Sequence, residues 1–245
     1  GKGLFTKEIE EAMLDNNIDI AVHSMKDMPV ICPEGLIISC YLPREDVRDS
    51  FISTKYKSIS ELPNGATVGT SSLRRRAQLL NKRPDLKIVE FRGNVQTRLR
   101  KLNEGIADAT FLACAGLNRL GRNEISNPIE TDDMLPAIAQ GCIGIEQRKN
   151  DIEISKILSV INDKSASLRL AAERSLLLGL DGSCQTPIAG LAELNGQQMR
   201  LRGEVIRPDG SEVLQDEITC PVSEGVEMAT LMAKRFRSQM GENFF

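Results

Sequence analysis

Residues 66–120 repeat one plan, an apolar segment followed by an amphipathic one, and this repetition constrains the fold more than any other feature. The apolar segments are typical of strands and the amphipathic ones of helices. The strand-like segments are ATVGT, KIVEF and ADATFLACAG, and the helical ones are SSLRRRAQLL, NVQTRLRKLNEG and LNRLGR. Strands that alternate with helices predict a mainly parallel sheet with right-handed crossovers. Ligands of such sheets bind beyond the carboxyl ends of the strands.

Local signals support these helices. Ser71 or Ser72 is expected to cap the first one, because a serine hydroxyl can accept a hydrogen bond from the first helical turn. In the second helix, Val95, Leu99 and Leu102 fall on one face. That face is expected to pack against the sheet.

The segments on either side of this region predict further elements. Residues 7–16 have helical spacing, and IDIAVH alternates as a strand that ends in the loop SMKDMP. CIGIEQ, after Gly141, reads as a buried segment, and polar residues at 151–162 predict a helix.

The last third of the chain has a different pattern. A helix with a strong apolar stripe begins near residue 167, and three strand-like segments follow it. Asn195-Gly196 and Pro208-Asp209-Gly210 separate these strands and are hairpin turn signals. A final helix closes the chain, so this part is predicted to be antiparallel α+β.

Composition excludes several classes of protein. The chain has 41% hydrophobic and 27% charged residues, and no apolar stretch approaches the ~18–20 residues of a membrane span. Its 6 cysteines form no C-x-x-C pair and His23 is the single histidine, so no disulfide framework or metal site is expected. A reducing, cytoplasmic setting and a monomer are expected. The net charge of -3 argues against a nucleic-acid partner.

Three adjacent arginines are placed where the helix dipole disfavours a cation. Arg74, Arg75 and Arg76 fall in the first turn of their helix, where each cation costs roughly 0.3–1 kcal/mol against the helix dipole. Further arginines follow the next strands, at positions 92, 98 and 119. A solvated charge run is the plainer interpretation, but in a parallel sheet these residues meet along one edge and form an anion site. No phosphate-binding glycine loop is present, which favours carboxylates.

Lys26 and Asp27 lie in the loop SMKDMP, at the tip of a predicted strand. A turn aspartate commonly caps a backbone amide or pairs with a neighbouring lysine. If the first sheet faces the arginines across a cleft, Asp27 is instead an ionised carboxylate able to stabilise a developing cation. It is therefore the candidate for the chemistry.

Cys184 differs from the other cysteines because it lies in a polar, tightly turning loop, GSCQTPIAG. Free cysteines are usually buried. The other five lie in apolar runs or precede prolines at the ends of elements. An exposed thiol at position 184 therefore predicts a chemical role.

Seven motifs, in order and spacing, resemble the porphobilinogen deaminase (hydroxymethylbilane synthase) family over essentially the whole chain. They are GKGLF, AVHSMKDMP, YLPREDVRDSF, VGTSSLRRRAQL, FRGNVQTRLRKL, LPAIAQGCIGIE and GSCQTPIAG. The resemblance implies an enzyme of tetrapyrrole and haem biosynthesis with a dipyrromethane cofactor joined to Cys184 by a thioether. It implies that four porphobilinogen units are condensed head to tail onto this primer, with loss of ammonia, and that water then releases hydroxymethylbilane.

The resemblance also assigns roles to single residues. Asp27 would be catalytic and would stabilise the cationic azafulvene that forms when ammonia leaves. Gln140 would contact substrate at the crossing between the first two domains, and Arg76 matches no role. Phe5 would stack near a pyrrole ring and Ser72 would add a hydroxyl contact. The acetate and propionate groups of cofactor and growing oligopyrrole would be bound by Lys26, Arg74, Arg75, Arg92 with Gly93, Arg98 and Arg119.

The implied fold is α/β, with two periplasmic-binding-protein-like domains of parallel or mixed sheets and a smaller antiparallel α+β domain. The expected boundaries are 1–42 with 142–160, 48–136, and 164–245. The family has a further strand and helix before GKGLF, with an R-x-S-x-L stretch, and this segment is missing here. A non-catalytic, two-lobed anion-binding module and a redox-regulated thiol protein are the alternatives.

Overall fold

The computed structural model describes residues 3–183, 185–241 and 244–245, and of residues 3–5 only the backbone. Its helices and strands, in chain order, are α1 (Gly3–Leu14), β1 (Ile20–Ser24), β2 (Leu36–Tyr41), β3 (Asp49–Ile52), β4 (Thr67–Gly69), α2 (Leu73–Lys82), β5 (Lys87–Val89), α3 (Val95–Asn103), β6 (Ala109–Ala113), α4 (Cys114–Arg119), β7 (Ile143–Arg148), α5 (Ile152–Ile161), α6 (Lys164–Gly179), β8 (Ile188–Asn195), β9 (Gln198–Ile206), β10 (Val213–Pro221) and α7 (Gly225–Gln239). They form three separate sheets.

The first sheet has the order β1-β7-β2. The predicted strand IDIAVH is confirmed as β1, and the buried segment CIGIEQ becomes the central strand β7. Both neighbours of β7 run antiparallel to it, so β1 and β2 point the same way on either side of a reversed central strand. The reason is that β7 returns from the second sheet in the opposite direction. Helix α1 packs on this sheet through Met13, which contacts Ala21 and Leu36.

The second sheet has the order β3-β6-β4-β5 and confirms the predicted repeats. Strand β4 is parallel to both β5 and β6, whereas β3 joins the edge antiparallel to β6. The sequence pattern did not predict β3, although all four of its residues are buried. Phe51 of β3 packs edge to face on Phe111 of β6, with ring centroids 6.1 Å apart. Val95 and Leu99 of α3 pack beside the buried Leu102, as predicted.

The third sheet, β10-β9-β8, is antiparallel and lies against helices α6 and α7. Both predicted hairpin turns are confirmed, with positive φ at Gly196 (60°) and Gly210 (78°). The two helices approach closely at Gly179, where a Cβ atom would lie 2.5 Å from Cβ of Ala233. In the described part of the chain, no helix has the length and apolar character needed to cross a bilayer.

The chain crosses between the first and second sheets twice, through residues 42–48 and 136–142. Glu173 of α6 is fully buried and holds both crossings. Its carboxylate pairs with Arg44 through contacts of 2.6 and 3.0 Å, and it accepts a 2.7 Å hydrogen bond from the Ala139 amide. It also accepts from the amide of Ala192 in β8, at 2.8 Å. The third sheet is thereby fixed to both crossings, and a cleft forms where the three sheets meet.

Candidate active site

A cavity of about 700 Å³ lies at this meeting point. Its wall combines the loop after β1, the start of α2, the loop before α3, the second crossing and the loop after α6. The sequence-predicted residues that line it are Lys26, Asp27, Ser72, Arg74, Arg75, Arg92, Gly93, Arg98 and Gln140. The structure therefore gathers most of the predicted site from distant parts of the sequence.

The start of α2 directs two arginines inward. Of the two predicted caps, Ser72 is the N-cap, and its hydroxyl accepts from the Arg75 amide at 3.4 Å. Arg74 and Arg75 are 4% and 5% exposed, whereas Arg76 lies on the exposed side of the helix. Buried guanidinium groups need a counter-charge, because an unpaired buried ion is costly.

Asp49, the first residue of β3, supplies this counter-charge and is itself fully buried. Its Oδ1 accepts from Nε and Nη2 of Arg75 at 3.1 and 2.6 Å. Its Oδ2 lies 2.7 Å from Nη2 of Arg74. Burial alone would raise the pKa of Asp49, but the charges of Arg74 and Arg75 outweigh burial and hold this pKa below its ordinary value.

The two arginines are bound differently to the scaffold. Arg75 also donates from Nη1 to the Phe111 carbonyl, at 2.9 Å. Arg74 uses Nη1 for Gln78 (2.9 Å) and for the carbonyl of Leu135 (3.0 Å). Nε of Arg74 is a buried donor without a hydrogen-bond partner in the described part of the chain. Such a donor beside a cavity is one that a ligand oxygen would satisfy.

Gln140 connects this pair to Lys26. The Gln140 side chain is fully buried at the second crossing, and its Nε2 donates to Asp49 Oδ1 at 3.0 Å. Its Oε1 accepts from Nζ of Lys26 at 3.3 Å. Burial and the charge of Arg75 lower the pKa of Lys26 to about 8. The lysine is therefore a cation at neutral pH that loses its proton under mildly alkaline conditions.

Asp27 ends a short turn, Met25–Asp27, that follows β1, and its side chain is exposed on the cavity wall. Arg98 of α3 lies within electrostatic range of it. Burial and the charge of Arg75 lower the pKa of Arg98, while the charge of Asp27 opposes this shift. The Asp27 carboxylate thus lies within electrostatic range of Arg98 and of the neighbouring Lys26.

The loop before α3 carries Arg92 and Gly93. Gly93 has φ of 126°, and a Cβ at this position would lie 2.6 Å from Cγ2 of Thr97, so the close turn requires glycine. The Gly93 carbonyl accepts from Nε of Arg98 at 2.9 Å, which orients that arginine. Arg92 is exposed and pairs with Glu90 at 2.7 Å.

The family of the chain follows from comparison with known proteins. Residues 1–156 match the model of the porphobilinogen deaminase dipyromethane cofactor binding domain, and residues 167–239 match the model of the C-terminal domain. The porphobilinogen deaminase of Paracoccus denitrificans is 61% identical, over 100% of this chain and 79% of that protein. The chain belongs to the porphobilinogen deaminase family. The Nitrobacter winogradskyi porphobilinogen deaminase is 50% identical, over 100% of this chain and 78% of its own length.

Among solved structures, a nutrient-binding protein from Burkholderia cenocepacia bound to methionine aligns with a TM-score of 0.43. The two are 15% identical over 61% of this chain and 73% of that one. The predicted α/β class, with separate mixed and antiparallel sheets, is confirmed by the topology described above.

Dipyrromethane is the cofactor of the porphobilinogen deaminase family, as the matched family domain states. The donor set in the cavity fits such a group, because guanidinium and ammonium donors bind carboxylates. Cys184 lies outside the described residues, and so does the side chain of Phe5. The residues on both sides of Cys184, Ser183 and Gln185, line the cavity.

Two residues discussed in the sequence analysis, Arg119 and His23, lie away from this porphobilinogen deaminase cavity. Arg119 is exposed at the end of α4, does not line the cavity, and donates to the Gly141 carbonyl at 2.9 Å. His23 is buried against Glu146, with 2.8 Å between Nε2 and Oε2. It does not line the cavity either. Among the described residues no group of three or more possible ligands is placed to hold a metal ion.

Sequence reasoning missed two residues of the site, Asp49 and Arg174. Arg174 lines the cavity and donates to the carbonyls of Pro29 and Val30 at 2.6 and 2.9 Å, so it fixes the loop after Asp27. Its position four residues after the buried Leu170 places it on the inner face of α6, a signal that periodicity contains. Asp49 gave no such signal, because its partners are distant in sequence.

Proposed function

We propose that this chain is a hydroxymethylbilane synthase. It condenses four porphobilinogen units head to tail, with loss of ammonia at each addition, onto a dipyrromethane primer attached to Cys184. Hydrolysis then releases hydroxymethylbilane, and the primer stays on the enzyme. Family membership, at 61% identity over the whole chain, supports this function.

One observation supports it most strongly: cations from α2, α3 and the loop after β1 line a cavity whose exposed carboxylates, among the described residues, are Asp27 and Glu90. Lys26, Arg75 and Arg98 all line this cavity. Each pyrrole of the substrate carries an acetate and a propionate, so the growing chain brings many carboxylates into the site. Guanidinium groups bind such carboxylates in pairs of hydrogen bonds and neutralise their charge.

Asp27 is proposed as the catalytic group. Loss of ammonia from porphobilinogen leaves a positive charge that is shared with the pyrrole nitrogen. A fixed carboxylate near that nitrogen stabilises the charge as it develops.

The cofactor fits the same wall. When bound, dipyrromethane supplies the pyrrole carbon to which the first substrate unit is joined. Lys26, Arg74, Arg75, Arg92 and Arg98 would hold its carboxylates and those of the substrate. Ser72 would add its hydroxyl, the Gly93 backbone would approach the ligand closely, and Gln140 would orient Lys26. Arg119 would reach the ligand by a movement during elongation, and Phe5 remains proposed to stack near a pyrrole ring.

The domain boundaries remain those proposed from the sequence, 1–42 with 142–160, 48–136, and 164–245. Each contains one of the three sheets, which supports the division. We further propose that the enzyme is a cytoplasmic monomer whose partners are porphobilinogen and the growing oligopyrrole, without nucleic acid or membrane.

Intact mass spectrometry of the full-length protein tests this function. The native protein should be heavier than its sequence by one dipyrromethane, and Cys184→Ser should lack this mass. Cys32→Ser, which changes a partly buried cysteine elsewhere, is the matched control and should retain it. Added porphobilinogen should then produce a ladder of heavier species. An unmodified native mass, unchanged by porphobilinogen, would favour the non-catalytic anion-binding module.

A further inference from the structure

Asp49 is a buried carboxylate that both Arg74 and Arg75 contact on the cationic side of the cavity. Arg75 contacts its Oδ1, Arg74 contacts its Oδ2, and Gln140 links Oδ1 to Lys26. Two of these cations contact the Asp49 carboxylate directly, and Lys26 is linked to it through Gln140. The cluster keeps an excess of positive charge after Asp49 is counted.

This arrangement has two consequences for a ligand. The guanidinium of Arg75 is fixed by contacts from Nε, Nη1 and Nη2 to Asp49 and to the Phe111 carbonyl. Its orientation is set before any ligand arrives. Positive charge in a partly desolvated cavity also attracts an anion more strongly than it would in water.

We propose that Asp49 is the positioning residue of this site: its carboxylate fixes Arg74 and Arg75, and it neutralises only part of their charge, so that ligand carboxylates complete the balance. This inference rests on the proposed function, because it takes the ligand to be dipyrromethane and the pyrroles added to it. Asp49 acts through the arginines and lies outside the reacting atoms.

A counter-charge differs from a purely structural contact in one measurable way. If Asp49 and the cofactor carboxylates neutralise the same cations, each becomes more important when the other is absent. Contacts that do not share partners give additive effects on stability, whereas shared partners give non-additive ones. A double-mutant cycle between Asp49 and the attachment site of the cofactor therefore tests the proposal.

The cycle compares four full-length proteins: wild type, Asp49→Asn, Cys184→Ser and the double variant. Cys184→Ser removes the cofactor and should lower the melting temperature in both backgrounds. We expect this decrease to be larger by about 3 °C or more in the Asp49→Asn protein than in the wild type. Asp85→Asn is the matched control, since Asp85 also pairs with an arginine, Arg83, but on the surface. Its effect should add to that of Cys184→Ser, and an additive result for Asp49→Asn would overturn the inference.

A second measurement does not depend on the double variant folding. Lys26 is surrounded by Asp27 and Asp49, whose charges raise its pKa, and by Arg74 and Arg75, whose charges lower it. Removing the Asp49 charge should let Lys26 lose its proton at a lower pH. We therefore expect KM for porphobilinogen to begin its alkaline rise at lower pH in Asp49→Asn, and to be about tenfold higher at neutral pH.

The controls separate this inference from the proposed function. If wild type carries no dipyrromethane and ignores porphobilinogen, the function itself is wrong. If wild type is active, but Asp49→Asn has the wild-type pH profile of KM, only the positioning role is wrong. Asp85→Asn should keep the wild-type profile in either case.

Discussion

Helices α2 and α3 both begin beside the cavity with arginines nearby, but the two helix starts solve the charge problem differently. At α2, Arg74 and Arg75 are buried and share Asp49. At α3, Arg92 keeps 76% of its side chain exposed and pairs with Glu90. A buried cation therefore requires a counter-ion within the protein, and its side chain is fixed in one orientation. An exposed cation can exchange its protein partner for a ligand.

The largest effect is expected when a buried arginine at the start of α2 is replaced. Arg75→Leu should lower the free energy of unfolding by about 3–5 kcal/mol, because Asp49 would lose one of its two ion pairs in the interior. Denaturant unfolding of the full-length protein measures this change. A loss below about 1 kcal/mol would show that the buried pair is not a stabilising unit.

Asp27, which lines the same cavity as both helix starts, gives the next largest effect. Asp27→Asn should retain the cofactor mass but lower kcat by about 100–1,000-fold, because a fixed charge that stabilises the developing cation is lost. Single-turnover kinetics and intact mass measure the two quantities. Asp19→Asn, at an exposed pair with Arg148, is the control. Turnover near the wild-type rate would remove Asp27 from the chemistry.

Lys26 makes the cost of burying a cation measurable as a dependence of stability on pH. Its pKa is lowered to about 8 from the ordinary value of 10.5, so the unfolded chain binds the proton more tightly than the folded protein. The free energy of unfolding should therefore rise as pH increases from about 8 to 10.5. Below pH 8 the lysine is protonated, and the cost of burying its charge should lower the stability in full. Lys26→Met should abolish this rise, and the exposed Lys87→Met should preserve it. Unfolding free energies across this range provide the measurement.

Arg92, the exposed arginine just before α3, gives the smallest expected effect on stability. Arg92→Leu should change the free energy of unfolding by less than about 1 kcal/mol, because an exposed ion pair is screened by water and salt. Ligand binding is the sharper measurement, since Arg92 is free to turn toward an added carboxylate. A stability loss as large as that of Arg75→Leu would erase the distinction between the two helix starts.

The sequence predicted the elements that follow a simple period. Strands β4, β5 and β6 and the helices after them were recognisable because each helix shows one apolar face. Strand β2 was not predicted, and β3 follows a charged stretch that hides its four buried residues. Short strands of this kind are specified by their neighbours in the sheet rather than by their own pattern.

The site was predictable to the extent that its residues follow strand ends. Lys26, Asp27 and Arg98 meet in the cavity as that rule implies. Arg119 does not line the cavity, because α4 ends at this residue and its side chain donates to the Gly141 carbonyl. The rule gave no sign of Asp49, whose nearest charged partner lies 25 positions away in the chain and is reached only through tertiary packing.

Glu173 joins Arg44, the Ala139 amide and the Ala192 amide through one carboxylate without solvent contact. These bonds connect elements that belong to different sheets, and none of them can be replaced by water while the interior stays closed. Thermal melting should therefore be a single cooperative event, in which the three sheets lose their order together rather than in succession.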